Sequence, residues 1–239
     1  VILNVTKPTL ADRRVRRALL HAIDRKSIAQ TTFGAYAEVE VPHGIVPQIK
    51  WRNESLPPID YDPARARALL READFDMQSE IMINLRDIDM AGIRLDIATI
   101  VQGYWRESGI NAQVEAVEGA IMSERLLKGE YDVYVGGTGS VVPIVLQRLH
   151  TNSTSPTAYG YSNPLVDATI AKIDTTYDLE ELRLLYNQLQ EYAWEDVAVM
   201  PVLNTIPLLA KSKRLKTGPI TPNNNHPIGT WWHLWDIVE

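Results

Sequence analysis

The chain of 239 residues contains no cysteine. That absence excludes disulfides, thiolate metal sites and a cysteine nucleophile. It is compatible with an oxidising compartment without demonstrating one. No apolar run approaches the roughly 20 residues needed to span a bilayer. A strongly basic face is missing as well. The net charge is −6, which argues against nucleic acid as a partner, because little positive charge is available to offset phosphates. Lys211-Ser212-Lys213-Arg214-Leu215-Lys216 is the longest basic cluster and reads as a solvated edge. The five histidines, His21, His43, His150, His226 and His233, include no pair spaced i,i+4 and no carboxylate cluster beside them. No metal site or cofactor is expected from that pattern. Neither G-x-S-x-G nor H-E-x-x-H occurs, and the acidic pairs Glu180-Glu181 and Glu195-Asp196 read as solvated helix faces, so no enzyme activity is expected. Internal repeats and low-complexity tracts are also lacking.

What is present is an ordinary globular composition, 45% apolar and 23% charged, long enough for one large domain or one and a half. Asp12 is placed to cap a first helix, in which Val15, Leu19, Ala22 and Ile23 form an apolar stripe. Arg13, Arg14, Arg16 and Arg17 surround that stripe and read as a solvated face with paired charges. A proline-rich stretch from Gly34 to Pro58 has no period. Asp62-Pro63 then opens a second helix. A strand is expected at Glu80–Leu85, a helix at Ala91–Ser108 closed by Gly109, and a strand at Asn111–Glu115. A helix at Ile121–Lys128 and a strand at Tyr131–Val135 follow. This alternation predicts an α/β layered domain with crossover connections. Two helices follow, at Pro164–Ile173 and Leu179–Trp194, then an apolar extended segment at Val197–Leu209.

The opening stretch Asn4-Val-Thr-Lys-Pro-Thr-Leu-Ala-Asp12-Arg-Arg-Val15-Arg16-Arg17-Ala18, running on to Ala22-Ile23-Asp24-Arg25, resembles a segment of the family 5 extracellular solute-binding proteins. Those are the dipeptide-, oligopeptide- and nickel-binding receptors of ABC importers. Gly34-Ala35-Tyr36, Tyr61-Asp62-Pro63-Ala64, Ser108-Gly109-Ile110, Gly129-Glu130-Tyr131-Asp132, Gly160-Tyr161-Ser162-Asn163-Pro164 and Leu185-Tyr186 follow in the family's order. One local departure is Asp74, where the family has glycine. The resemblance implies a type II periplasmic-binding-protein-like lobe, a mixed sheet flanked by helices. In the family the opening segment lies mid-chain, so the resemblance implies a C-terminal lobe over residues 1–210, with hinge strands near 1–5 and 204–210. Residues 211–239 would return to an N-terminal lobe outside this sequence. Trp231, Trp232 and Trp235 in that tail would then lose packing surface, and some self-association is expected.

Gly136-Gly137-Thr138-Gly139-Ser140 follows the strand at Tyr131–Val135 and is the principal candidate for ligand contact. Glycines let a backbone approach a ligand closely; the plain alternative is a tight turn. Peptide-binding members carry G-W-x-x-D in this loop, with the aspartate on the ligand's ammonium group. Here Gly137 and Ser140 stand at the tryptophan and aspartate positions. A neutral hydroxyl cannot balance a desolvated ammonium ion, so the resemblance with this departure implies a sugar, a glycoside or an anionic or neutral conjugate rather than a free peptide. Arg86 lies near the place of an arginine that takes the ligand carboxylate in dipeptide receptors; its alternative is a surface ion pair with Asp87 or Asp89. His43, in a loop near the expected cleft, is a further ligand-binding candidate, or else an ordinary surface histidine. The implied function is capture of a small solute between two lobes and delivery to an ABC permease, in the periplasm or lipid-anchored on the outer face of a bacterial membrane. The alternative is a hydrolase on the same fold.

Overall fold

The computed structural model describes residues 1–34, 46, 51–87, 92–136, 146, 149–151, 153 and 160–203, with two short strands at 215–216 and 236–237. The chain enters on strand β1 (Ile2–Leu3) and turns into helices α1 (Pro8–Ala11), α2 (Arg13–His21) and α3 (Arg25–Phe33). Asp12 accepts from the Arg14 N–H to start α2, and Asp24 accepts from the Lys26 and Ser27 N–H groups to start α3. Each carboxylate occupies donors that a helix start leaves without partners. The stripe read from the sequence, Val15, Leu19, Ala22 and Ile23, is buried. Helix α4 (Pro63–Glu72) opens on Asp62, whose side chain accepts from the Arg65 N–H, with Pro63 in the first turn.

Two helix ends show why the chain turns where it does. At the end of α4, the Phe75 N–H donates to the Leu70 carbonyl and the Asp74 N–H to the Arg71 carbonyl. This paired closure places Asp74 at φ +51°, the left-handed region that favours glycine. At the end of helix α5 (Ile93–Glu107), the Ile110 N–H donates to Trp105 and the Gly109 N–H to Arg106, with Gly109 at φ +89°.

The central sheet has the order β1-β4-β2-β3, where β2 is Glu80–Arg86, β3 is Asn111–Val117 and β4 is Val133–Tyr134. Strand β2 runs parallel to both β3 and β4, while β1 is antiparallel to β4. Both crossovers use helices, α5 between β2 and β3, and α6 (Gly119–Lys128) between β3 and β4. Alternation along the strands assigns the two faces. Leu3, Ile81, Ile83, Leu85, Ala112, Val133 and Val135 bury themselves with Ile97, Val101 and Trp105 of α5 in the main core. On the opposite face, Ile2, Val117 and Tyr134 pack with Met122 and Leu126 of α6. The sheet is therefore layered between helices, as expected from the sequence.

Helices α7 (Pro164–Ile173) and α8 (Leu179–Asp196) pack together over a second core that includes Val166, Ile170, Tyr186, Leu189 and Val199. The segment after α8 is extended and buried at Val197, Ala198, Val199, Met200 and Val202. It pairs with the start of the chain through an Ile2–Val199 bridge, and the Met200 N–H donates to the Val1 carbonyl at 3.0 Å. Residues 204–210, the expected second hinge strand, lie outside the described residues. Strands β5 (Leu215–Lys216) and β6 (Asp236–Ile237) form a separate antiparallel pair.

The structure corrects two charge readings. Arg16 does not belong to a solvated face: it is 5% exposed. Its guanidinium donates to the carbonyls of Leu10, Ala11 and Asp196 at 2.9, 2.7 and 2.6 Å, and its Nε lies 3.3 Å from that of Val197. Burial depresses its pKa, but a guanidinium stays charged. Helix α8 has no basic residue in its own last turn, so Arg16, with Arg17 on the Glu195 carbonyl, supplies the positive charge that its dipole favours. Asp196 is likewise not a solvated acid, since it accepts from the Tyr161 hydroxyl at 2.7 Å and Asn163 Nδ2 at 2.8 Å.

Candidate functional site

In open sheets with helical crossovers, ligands bind outside the carboxyl ends of parallel strands, where successive connections leave toward opposite faces. Strands β2 and β3 meet that condition. The connection after β2 leads to α5 on one face, and the connection after β3 leads to α6 on the other. Arg86 is the last residue of β2. The β2–β4 register pairs Ile83 with Val133 and Asn84 with Tyr134, and the Val135 N–H donates to the Asn84 carbonyl at 2.9 Å. The pairing ends there, and Gly136 follows directly, so Gly136 and Arg86 both lie at the carboxyl ends of these two neighbouring strands. Two of the sequence candidates thus share one edge of the sheet. Gly137, Thr138, Gly139, Ser140 and His43 lie outside the described residues.

Arg86 is half-buried and, among the described residues, forms one hydrogen bond, from its guanidinium to Ser123 Oγ at 2.9 Å. Its Nε is buried without a partner. The ion pair with Asp87 expected as the alternative does not form; the Asp87 N–H instead donates to the Val117 carbonyl, and Asp89 lies outside the described residues. Arg86 therefore differs from Arg16, whose three nitrogens all reach carbonyls. Ser123 donates its own hydroxyl hydrogen to the Gly119 carbonyl at 2.9 Å. No sequence signal announces this pair, because Ser123 is an unremarked polar position next to the apolar Met122.

Other polar groups lie on the α6 face beside its apolar cluster. Asn84, 2% exposed, donates to Glu115 Oε2 at 2.8 Å, and Arg125 reaches the same carboxylate at 2.7 Å. Glu118 caps the start of α6 by accepting from the Ala120 and Ile121 N–H groups, and those bonds hold its carboxyl below the ordinary range. The first donors of α6 are therefore already occupied. Gly136 also has a packing reason to be glycine, since a Cβ there would run into the Tyr134 ring. Among the described residues no group of three potential ligand side chains could hold a metal ion, and no helix is long and apolar enough to cross a membrane.

The architecture is that of a type II periplasmic binding protein, an α/β lobe with a mixed sheet flanked by helices. Residues 1–160 match the family described as bacterial extracellular solute-binding proteins, family 5 Middle, and the chain belongs to that family. It is 28% identical to the glutathione-binding protein GsiB of Salmonella choleraesuis over 236 aligned positions, covering 93% of this chain and 45% of that protein. The Escherichia coli GsiB is 27% identical over 235 positions. The chain thus spans about half the length of the named relatives it matches. Among solved structures, HbpA2 from Haemophilus parasuis superposes with a TM-score of 0.81 at 23% identity, covering 99% of this chain and 47% of that one. A murein tripeptide-binding protein, MppA, in its unliganded open form gives 0.77 at 20% identity, covering 100% and 47%.

Proposed function

We propose that this chain is the ligand-binding lobe of a receptor that captures a small solute and delivers it to an ABC permease. The observation that carries this reading is the juxtaposition of Arg86 and Gly136 at the carboxyl edge of β2 and β4, in a chain of this family. Residues 1–210 form the lobe, with hinge strands near 1–5 and 204–210. Residues 211–239 return to a second lobe. The pairing of Val1 and Ile2 with Val199 and Met200 supports the hinge reading, because it brings the start of the chain beside the stretch that leads toward 204–210. Closure about two such strands would enclose the solute. Gly136, Gly137, Thr138, Gly139 and Ser140 would offer backbone N–H groups and hydroxyls to it, with Arg86 and His43 at the rim. The mature receptor would work in the periplasm or anchored by lipid outside the membrane, and its tail tryptophans would favour self-association of the isolated lobe.

Among a sugar, a glycoside and an anionic or neutral conjugate, we favour an anionic, peptide-like conjugate. Arg86 has no carboxylate within ion-pair distance among the described residues, and a half-buried guanidinium is most favourably met by an anion. Named relatives bind glutathione, which carries more carboxylates than ammonium groups. The experiment is calorimetry on the two-lobed protein with glutathione, a neutral disaccharide and an unmodified tripeptide. Binding of glutathione above the other two supports the assignment; preference for the free tripeptide overturns it.

A further inference from the structure

We propose that Ser123 is a positioning residue of the solute site. It would hold Arg86 in the orientation that selects an anionic ligand end over a neutral one. This inference rests on the proposed function and deepens it. Ser123 is one turn into α6, and its hydroxyl hydrogen is committed to the Gly119 carbonyl at 2.9 Å. Its oxygen can therefore only accept from Arg86, and it does so at 2.9 Å. A hydroxyl has a single hydrogen, so Ser123 has none left for a solute. It acts on the solute only through the guanidinium.

Contrast with the structural arginines supports the assignment. Arg16 closes on four carbonyls, Arg25 donates to the Ile59 carbonyl at 2.6 Å, and Arg106 donates to the Ala112 carbonyl and Gln113 Oε1. Those guanidiniums are held by groups that fix them in place. Among the described residues, Arg86 has one neutral acceptor and a buried Nε without a partner. Leaving a buried donor unmet is costly, and such groups concentrate at sites whose partner arrives from outside. The neighbouring carboxylate, Glu115, is engaged by Asn84 and Arg125, and Glu118 by its own helix start. Neither neutralises Arg86. A long, flexible arginine side chain loses rotamer freedom when a ligand fixes it. The Ser123 bond orders it beforehand, so an arriving oxyanion meets a donor already aimed.

The test uses the two-lobed protein with its arginine side chains labelled with nitrogen-15, and acetate with its neutral counterpart acetamide as probes. The Arg86 Nε–H signal is identified by its loss in Arg86→Lys. Acetate is expected to shift that signal saturably and acetamide to leave it in place. Ser123→Ala is expected to weaken the acetate response about fivefold, the equivalent of one neutral hydrogen bond. Ser123→Thr, which keeps the hydroxyl, is expected to retain it. Thermal melts of both variants matching the parent show that the fold is unaffected. An acetate response equal in the parent and Ser123→Ala overturns the proposal, as does an equal response to acetate and acetamide. Its failure is separable from failure of the receptor reading: Ser123 can orient Arg86 for acetate in a protein that takes up no solute, and a receptor can bind its solute with Ser123 indifferent.

Discussion

Arg16→Met is the substitution that best separates a solvated arginine from a structural one. Methionine keeps the apolar stem but removes every donor. In the parent, Arg16 ties α1 to the end of α8 through Leu10, Ala11, Asp196 and Val197 carbonyls. An arginine on a solvated face would cost less than about 0.5 kcal/mol to replace. Here at least three good bonds are lost at about 1 kcal/mol each, since several of the carbonyls are left in partly buried surroundings, and α8 loses a cation at its negative end. The expected loss is about 3 kcal/mol. At roughly 2–4 °C per kcal/mol for a chain of this size, the melting temperature should fall by about 6–12 °C. Urea unfolding monitored by tryptophan fluorescence measures the free energy directly, with Arg17→Met as the control. Arg17 is half-buried and has one short bond, to the Glu195 carbonyl at 3.0 Å, so it should lose about 1 kcal/mol. A loss below about 1 kcal/mol for Arg16→Met would refute the clamp.

Three further outcomes follow from particular residues. Asp74→Gly should stabilise the protein by about 0.5–1 kcal/mol in the same urea assay, because Asp74 sits at φ +51°, a conformation costly to residues with a Cβ; no gain would contradict the helix-end geometry. Asn4 is fully buried, donates to the Gly129 and Tyr131 carbonyls at 2.9 Å each and accepts from Thr6, so Asn4→Ala should cost about 2–4 kcal/mol by leaving several groups unmet, whereas a loss under about 1 kcal/mol would show the first strand to be loosely held. His21 Nδ1 lies 2.8 Å from the Asp60 carbonyl, to which it donates, and burial depresses its pKa below 6.5 in spite of that bond. The unfolded chain then binds a proton that the folded chain resists, so its contribution is present above about pH 6.5 and lost as pH falls toward the folded pKa. Melting temperatures of parent and His21→Gln should diverge between about pH 7 and 5, with the parent falling more steeply; parallel curves would contradict this.

Local signals in the sequence were strong where a single residue type settles a local need. Asp12 and Asp62 cap the helices they precede, Gly109 takes a left-handed helix end, and Val15, Leu19, Ala22 and Ile23 enter the core as their spacing requires. The adjacent Asp24 and Arg25 serve different needs: Asp24 starts α3, and Arg25 reaches the Ile59 carbonyl across the chain. Long-range partners were not legible. Nothing in a run of arginines tells which one meets a helix end 180 residues away, so Arg16 read as solvated. Strand β4 is shorter than its apolar pattern, because the Tyr131 and Asp132 carbonyls are taken by Asn4 and the Asp132 carboxylate by the Met82 N–H and Lys7. Helix α1 is a single turn at Pro8–Ala11, too short to impose a period. Of the site, the sequence singled out Gly136 and Arg86 separately; only the parallel register of β2 and β4 brings them together, and Ser123 had no signal of its own.

The central claim is capture of an anionic solute at the edge carrying Arg86 and Gly136. The most direct measurement is to purify the two-lobed protein without denaturation, release whatever small molecule accompanies it, and identify that molecule by mass spectrometry. An anionic conjugate, lost when Arg86→Gln is purified in the same way, is the predicted result. An unmodified peptide without net negative charge, retained equally by Arg86→Gln, would contradict the account. It would mean that an acid other than the one missing at Ser140 anchors the ligand.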